Sequence, residues 1–239
     1  DVYKRQPPGT TGGARMSAVL GSTLMQAAGM IEEQALPFAA EHLQAEIDDI
    51  RLAEGIFTAA GTNQSVTIED LVRLIATDDP SQHPLNRVHD YTTDGATYPY
   101  GCHIVEIEVD QQTYRPEIVN YTVVDDFGEI INPLTLEGQI HGGIAQGIGQ
   151  ALYEHVAYDE DGQLLAGSLM DYTLPRADHM PSFSISRRGT RCQNNLLGVK
   201  GAGEAGAIGA PPAVISALCD ALGIVPVSYT HLRAHETTD

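Results

Sequence analysis

The spacing of apolar residues predicts helices in the first third of the chain. One helix begins near Ser17, which can serve as its N-cap, and its apolar positions recur at three- and four-residue steps until Pro37 ends it. A further helical stretch can then run through Leu43. A short amphipathic helix is predicted within residues 65–77, with Thr67 as its N-cap and acidic residues near its N-terminus, where they complement the helix dipole.

A long helix is predicted in the middle of the chain, and a closing helix over residues 211–222. The apolar residues of the long helix, at four-residue steps, are Leu136, Ile140, Ile144, Ile148 and Leu152. Its interior glycines are Gly138, Gly142, Gly143, Gly147 and Gly149. Because each interior glycine costs about 1 kcal/mol relative to alanine, we expect another backbone or a ligand to approach this helix closely.

Residues 103–110, in which apolar and polar residues alternate from Val105 to Asp110, are predicted to form a half-buried strand, and residues 118–124 are its expected partner. Residues 49–59 are also predicted to form a strand. Shorter strand candidates lie at 167–175 and 182–186. These strands are mixed with the helices without regular alternation, which favours the α+β class, with mixed helices and sheets, over a doubly wound parallel sheet.

The domain organisation is predicted from changes in composition along the 239 residues. A polar, proline-punctuated connector at 78–99 is a candidate boundary between two subdomains. Residues 1–6 and 227–239 have no periodicity continuous with their neighbours and resemble translated adapter sequence. We therefore expect both tails to be foreign to a native segment at 7–226.

The charge of the chain excludes several classes of partner. A formal charge of −19 at pH 7 argues against nucleic acid and anionic membrane surfaces, because both would be repelled. No stretch approaches the roughly 18 apolar residues of a membrane helix. Three cysteines without C-x-x-C spacing suggest neither a disulfide framework nor a zinc site and favour a reducing cytoplasm.

Two groups of titratable residues are weak candidates for a catalytic or metal site. Asp125 and Asp126 are adjacent, but neighbouring strand residues face opposite sides, so we interpret them as a strand end that runs into a turn. His103, His141 and His179 lack the spacing of metal ligands, so satisfied or surface histidines are expected.

Gly201, Gly203 and Gly206 form a G-x-G-x-x-G pattern with one acidic residue, Glu204, inside it. Such glycines can cradle the pyrophosphate of a dinucleotide. Three features oppose that interpretation: no hydrophobic strand precedes the pattern, the next convincing helix begins near Pro211, and a carboxylate would repel phosphate. A dinucleotide-binding or interaction domain is therefore the alternative hypothesis.

Several spaced motifs together indicate a family. They are, in chain order, GTTGGAR, YPYGCHIVEIEVD, INPLTLEGQIHGGIAQGIGQALYE, GSLMDYTLPRAD and NNLLGVKGAGEAGAIGAPPAV. They resemble the C-terminal part of the molybdopterin-binding large subunit of the xanthine dehydrogenase, aldehyde oxidase and carbon monoxide dehydrogenase family. The resemblance covers nearly all of residues 7–226, which would be a molybdopterin-binding domain and about the last third of a longer catalytic subunit.

The resemblance implies an enzyme that oxidises a substrate carbon with water-derived oxygen. Glu204 matches a glutamate that stands beside molybdenum without binding it and acts as the base for that oxygen. A base must lie within hydrogen-bond reach of its proton, and exclusion of water is expected to raise the proton affinity of the carboxylate. No residue of this chain is expected to bind the metal itself.

The resemblance also implies a set of cofactor contacts. Gln139 matches a glutamine whose amide hydrogen-bonds the pterin, and Arg15 can pair with a phosphate of the cofactor. Many relatives have serine where this chain has Ala14 and Met16, so side-chain contacts from that loop are less expected than backbone contacts. Lys200 can contact the cofactor, steady the glycine-rich loop or simply face solvent. The full set is Gly12, Gly13, Ala14, Arg15, Gln139, Lys200, Gly201 and Gly203.

Cofactors and partners follow from the same resemblance. Molybdenum-molybdopterin is expected, with the cytosine dinucleotide form as one option. Iron–sulfur clusters and FAD are expected in partner subunits, because this chain has no cysteine set for a cluster. The complete enzyme is expected to be a hetero-oligomer and a dimer that acts on a small molecule, and this fragment is expected to be inactive alone.

Overall fold

The computed structural model describes residues 12–93 and 95–224 and divides into two compact units. One unit comprises residues 19–92, and the other comprises the remaining described residues. The predicted foreign tails, 1–6 and 227–239, lie outside the described residues. Within those described residues, every helix is too short or too polar to cross a membrane.

The smaller unit contains a three-stranded antiparallel sheet and two helices. Its elements, of which the first begins just before the unit, are α1 (Met16–Leu43), a 3₁₀ turn (Ile47–Asp49), β1 (Ile50–Ala53), β2 (Ile56–Ala59), β3 (Ser65–Thr67), α2 (Ile68–Leu74) and a 3₁₀ turn (Pro80–Gln82). The single strand predicted over 49–59 is wrong. Glu54 (φ 51°) and Gly55 (φ 77°) form a tight turn between β1 and β2, and two positive φ angles in a two-residue loop are typical of a β-hairpin.

Helix α1 continues through Pro37, contrary to the prediction that it ends there. A proline removes one helical hydrogen bond and costs about 3 kcal/mol. Packing offsets that cost, because the C-terminal half of α1 supplies much of the core of the smaller unit. The buried residues of this core include Ala35, Ala39, Ala40, Leu43, Phe57 and Leu71. The helix also begins at Met16, so that Ser17 lies in its first turn and not at its N-cap.

The predicted cap of the short helix is confirmed. Thr67 Oγ1 accepts a hydrogen bond from Asp70 N at 3.1 Å, at the N-terminus of α2. The residues after α2 form a largely irregular segment, and the division between the two units at Thr92 falls within the connector predicted at 78–99. The second division, after Ala18, lies inside α1 and has no counterpart in the prediction.

The larger unit contains a three-stranded mixed sheet with two long helices. Its elements are β4 (Tyr100–Val109), β5 (Pro116–Asp126), α3 (Pro133–Leu152), a 3₁₀ turn (Ala177–His179), β6 (Phe183–Arg187) and α4 (Ala205–Ala221). β5 lies in the centre, antiparallel to β4 and parallel to β6. The strands predicted at 103–110, 118–124 and 182–186 are confirmed, and the α+β class is confirmed with them.

The strand predicted at 167–175 is wrong, because these residues form a turn. The Ser168 hydroxyl accepts a hydrogen bond from Met170 N and donates one to the Asp171 carboxylate. Serine and aspartate favour such local side-chain hydrogen bonds over a sheet ladder. The alternating pattern alone did not reveal this competition.

Helices α3 and α4 pack together at very short range, which explains several of the glycines. A Cβ on Gly143 would lie 3.1 Å from Gly206 Cα, and a Cβ on Gly147 would lie 2.6 Å from Ala210 Cβ. The expected close approach of another backbone is therefore present along this face of α3. The remaining helix prediction needs correction: α4 begins at Ala205 and not near Pro211.

Candidate functional site

Three separate stretches of the chain line one cavity of about 320 Å³ in the larger unit. They are the loop before α1 with the first residues of that helix, the segment that runs from the end of β5 into the first turns of α3, and the glycine-rich loop before α4. Predicted site residues on its wall are Ala14, Gln139, Lys200, Gly201 and Gly203. The rest of the lining is mostly apolar and includes Phe127 and Ile130 from the segment between β5 and α3, and Leu136 from α3.

The glycine-rich loop touches the loop before α1 directly. A Cβ on Gly201 would lie 2.6 Å from Ala14 Cβ and 3.0 Å from Ala14 O, so only glycine permits this approach. Ala14 itself has a φ of 51°, which is uncommon for a residue with a side chain. Glycine at position 201 therefore allows the glycine-rich loop to contact the loop before α1.

Gln139 joins α3 to the same glycine-rich loop. Its amide Nε2 donates a hydrogen bond to Gly203 O at 3.0 Å. No other hydrogen bond to the Gln139 side chain occurs within residues 12–93 and 95–224, so Oε1 keeps its capacity to accept. The neighbouring Gly138 and Gly142 have open space where a Cβ would lie. The surface of α3 around Gln139 is thus bare of side chains on two sides.

Glu204 lies at the N-cap position of α4, directly after Gly203. Its backbone carbonyl accepts from Ile208 N at 3.0 Å, but its side chain makes no capping hydrogen bond. The side chain is exposed and does not line the cavity. The expected exclusion of water around this carboxylate is therefore not provided by the described residues. Glu204 nevertheless directly follows Gly203, whose carbonyl accepts the hydrogen bond from Gln139.

Arg15, Gly12 and Gly13 lie at the exposed edge of the site and outside the cavity lining. Arg15 Nε donates to Gly12 O at 3.3 Å, which closes a short local loop. Gly13 has a φ of 58°, a conformation that favours glycine. The guanidinium of Arg15 is exposed to solvent.

The side chain of Lys200 is turned away from solvent into the protein. Its ammonium lies 2.9 Å from Asp126 Oδ2, and each side chain is only 7% exposed. The ammonium also lies 4.3 Å from the centre of the Tyr100 ring. Burial alone would raise the pKa of Asp126, but hydrogen bonds from Gly128 N, Lys200 and Thr190 hold it well below its ordinary value. Burial likewise opposes the charge of Lys200, yet the hydrogen bond to Asp126 raises its pKa.

A second cluster of buried polar side chains, which the sequence did not reveal, is formed around Asp125, the residue before Asp126. Asp125 Oδ1 is 3.6 Å from His103 Nε2, and His103 Nδ1 is 2.7 Å from the hydroxyl of Tyr121. Burial, and secondly the charge of Asp125, raise the pKa of Tyr121 well above its ordinary value. Gly209 of α4 packs flat against the imidazole, since a Cβ there would lie 2.5 Å from Nε2. Gly209 could have indicated a close contact at this point of α4, but its partner, His103, is distant in the sequence.

The dinucleotide hypothesis gains no support from this geometry. The helix does open inside the G-x-G-x-x-G pattern, but Val199 pairs only through an isolated antiparallel bridge with Gly128. Gly206 packs against the backbone of α3, where its Cβ would lie 2.7 Å from Ile144 N. A dinucleotide fingerprint instead joins a parallel strand to a helix.

The cavity of this α+β domain is concave and mostly apolar, with a few polar groups and the backbone of Gly201 and Gly203 on its wall, which is the class of site that holds small molecules and cofactors. The chain is a member of the molybdopterin cofactor-binding domain family, whose model matches residues 4–181. It corresponds to a C-terminal part of the large subunits of molybdenum hydroxylases.

Similar proteins agree with this assignment. The chain is 37% identical, over 87% of its length, to the 6-hydroxypseudooxynicotine dehydrogenase complex subunit gamma of Paenarthrobacter nicotinovorans. It is 31% identical, over 95% of its length, to the carbon monoxide dehydrogenase large chain of Hydrogenophaga pseudoflava. The solved structure of quinoline 2-oxidoreductase from Pseudomonas putida 86 matches with a TM-score of 0.78 and 30% identity over 97% of the chain. The chain spans 27%, 28% and 31% of the lengths of these three proteins, respectively.

Proposed function

We propose that this chain is the molybdopterin-binding, C-terminal part of a molybdenum-dependent hydroxylase or dehydrogenase, in which Glu204 is the general base. The observation that carries the proposal is the hydrogen bond from Gln139 to Gly203 O at the cavity wall, one residue from Glu204. This bond supports the proposal because it joins Gln139, the candidate for pterin binding, to the residue directly before Glu204, the candidate base. The dehydrogenase and oxidoreductase names of the similar proteins support the activity.

The residues present fit one side of a bulky planar cofactor. Gly138 and Gly142 flank Gln139 on α3, and neither position has an atom within 4 Å of a hypothetical Cβ. Gln139 and Gly142 are three residues apart and share a helix face, so this face offers bare backbone beside a single amide. An amide both donates and accepts, and its accepting oxygen faces no partner within residues 12–93 and 95–224.

When bound, the molybdenum cofactor would supply the two-electron oxidation of a substrate carbon with oxygen derived from water. Glu204 would accept the proton that this oxygen loses, at the carboxylate. Gln139 would hold the pterin edge through Oε1 while its Nε2 fixes the carbonyl of Gly203. One side chain would thereby set the distance between the cofactor and the base, and proton transfer requires that distance to be within hydrogen-bond reach.

The loop before α1 would complete the cofactor contacts. The exposed guanidinium of Arg15 would bind a phosphate of the cofactor, and Gly12, Gly13 and Ala14 would contribute backbone groups. Lys200, whose ammonium is engaged with Asp126, would contribute through its main chain, together with Gly201 and Gly203. The cytosine dinucleotide form of the cofactor fits this proposal as one option.

The partners of the complete enzyme belong to the same proposal. Two of the similar proteins are described as a complex subunit and a large chain, which supports an assembly of several subunits. Electrons would pass to iron–sulfur clusters and a flavin held by those other subunits, in the cytoplasm. The substrate would be a small molecule, and the complete enzyme a hetero-oligomer that dimerises.

Substitution of the base tests the proposal. In the complete enzyme that contains this segment, Glu204→Gln should leave molybdenum and pterin content near normal. Turnover should fall by at least the roughly 10²–10⁴-fold that a general base contributes. Glu160→Gln is the matched control, because Glu160 is also exposed but lies in a turn far along the chain. Undiminished turnover of Glu204→Gln would remove the assignment.

A further inference from the structure

A single buried carboxylate ties together three segments of the larger unit. Asp126, the last residue of β5, accepts hydrogen bonds through Oδ1 from Gly128 N at 2.8 Å and from Thr190 N at 3.1 Å. Its other oxygen, Oδ2, binds the Lys200 ammonium at 2.9 Å. The end of β5, the segment after β6 and the glycine-rich loop therefore meet at one side chain.

Lys200 is held by its main chain as well as by its side chain. Its backbone N donates to Phe127 O at 2.8 Å, and the preceding Val199 forms a bridge with Gly128. The Asn195 amide adds a further constraint, since it donates to Val199 O at 2.9 Å and accepts from Val199 N at 3.1 Å. The chain is consequently fixed on the end of β5 just before it enters Gly201–Glu204.

The burial of the pair argues against a direct contact between the Lys200 ammonium and a ligand. Both side chains are 7% exposed, and the ammonium lies over the face of Tyr100. Removal of one partner from a buried ion pair leaves an uncompensated charge, which is strongly unfavourable. The ammonium therefore stays with Asp126 when a ligand binds in the cavity.

We infer that Asp126 and Lys200 are positioning residues, which set the main chain of residues 200–204 and thereby the place of the Glu204 carboxylate. This inference rests on the proposed function only in that it takes Glu204 to be the base. The two side chains act through the loop and touch neither the substrate nor the cofactor. Catalysis is sensitive to such placement, because an error of about 1 Å can cost about 10²-fold in rate.

The test uses the complete enzyme with three variants: Lys200→Met, Asp126→Asn, and the double variant. Three quantities are measured: hydrogen exchange of the backbone amides in 198–204, molybdenum and pterin content, and kcat per molybdenum. Arg73→Met is the control, because Arg73 forms an exposed ion pair with Asp70.

For Lys200→Met we expect exchange in 198–204 to accelerate at least tenfold relative to the rest of the larger unit. Cofactor content should be retained, and kcat per molybdenum should fall about 10- to 100-fold with little change in KM. The double variant removes both charges while the asparagine oxygen can still accept from Gly128 and Thr190. It should therefore regain thermal stability but keep the fast exchange and low kcat, which a purely structural role would not produce.

Two results would overturn the inference. One is unchanged exchange in 198–204 together with unchanged kcat per molybdenum. The other is a loss of cofactor from Lys200→Met with normal exchange, which would make Lys200 a direct cofactor ligand. The exchange measurement does not depend on the role of Glu204, so a failure of the proposed base, seen as full turnover of Glu204→Gln, is recognised separately.

Discussion

The same substitution at two glycines of α3 should change stability in opposite directions. Gly142 is exposed and has open space at its Cβ position, so Gly142→Ala should stabilise the chain by about 1 kcal/mol through helix propensity alone. Gly147 faces α4, where a new Cβ would lie 2.6 Å from Ala210 Cβ and 2.8 Å from Pro211 Cδ. Carbon atoms pack best at about 3.5–4.0 Å, so the two helices must separate by about 1 Å.

The magnitude at Gly147 follows from two opposing terms. Overpacking costs about 1–3 kcal/mol. The upper end applies because the atoms in contact, Ala210 Cβ and the ring of Pro211, cannot move away by a side-chain rotation. The gain in helix propensity of about 1 kcal/mol offsets part of that cost. The expected net destabilisation is about 2 kcal/mol. In chains of this size 1 kcal/mol shifts Tm by about 2–4 °C, so Tm should fall by about 4–8 °C for Gly147→Ala and rise by about 2–4 °C for Gly142→Ala.

Thermal unfolding of the 239-residue chain, followed by circular dichroism of the helices, measures both shifts. If Gly147→Ala raises Tm as much as Gly142→Ala does, the close packing of α3 on α4 is not the reason for glycine at 147. A fall for both variants would show instead that Gly142 is covered in solution.

Two further predictions concern the site. Gln139→Ala in the complete enzyme should lower retention of the molybdenum cofactor, whereas Gln150→Ala, an exposed glutamine of the same helix, should not; equal molybdenum content in both would contradict the role of Gln139. The lowered pKa of Asp126 predicts a stabilisation that is complete above its ordinary value of 3.8 and is lost as the pH falls toward the lower folded value. When the pH is lowered from about 5 to about 2, the free energy of unfolding, measured with urea, should therefore fall less for Asp126→Asn than for the parent chain. Parallel pH profiles of the two proteins would refute this.

Elements with a strong internal period were predictable from the sequence. Ile140, Ile144 and Ile148 repeat at four-residue steps, and each is at most 1% exposed on the face of α3 that meets the core. The Thr67 cap was equally predictable, because it depends on a hydrogen bond to a residue three positions away. In both cases the information lies within a few residues of the chain.

The predictions that failed depended on distant partners. Pro37 and Pro211 each suggested a helix boundary, but tertiary packing sustains the helix at each position. The residues on both sides of Pro37 belong to the core that contains Phe57, and Pro211 lies against Gly147. The adjacent Asp125 and Asp126 were correctly separated in role, since one contacts His103 and the other Lys200. Neither contact could be inferred from the sequence, because each partner comes from another element of the fold.

Under the proposed function, the exposure of Glu204 requires the rest of the complete subunit to share the work of catalysis. The described residues place the carboxylate: Gln139 holds the carbonyl before it, and Asp126 holds the loop that leads to it. They leave its side chain in solvent, whereas a base gains proton affinity when water is excluded. The chain spans 27–31% of the similar proteins, so the wall that excludes water is proposed to come from the rest of the subunit. Because the Glu204 side chain makes no capping hydrogen bond at its helix, Glu204→Gln should leave the fold undisturbed, and a loss of turnover in that variant would report on the proposed proton transfer.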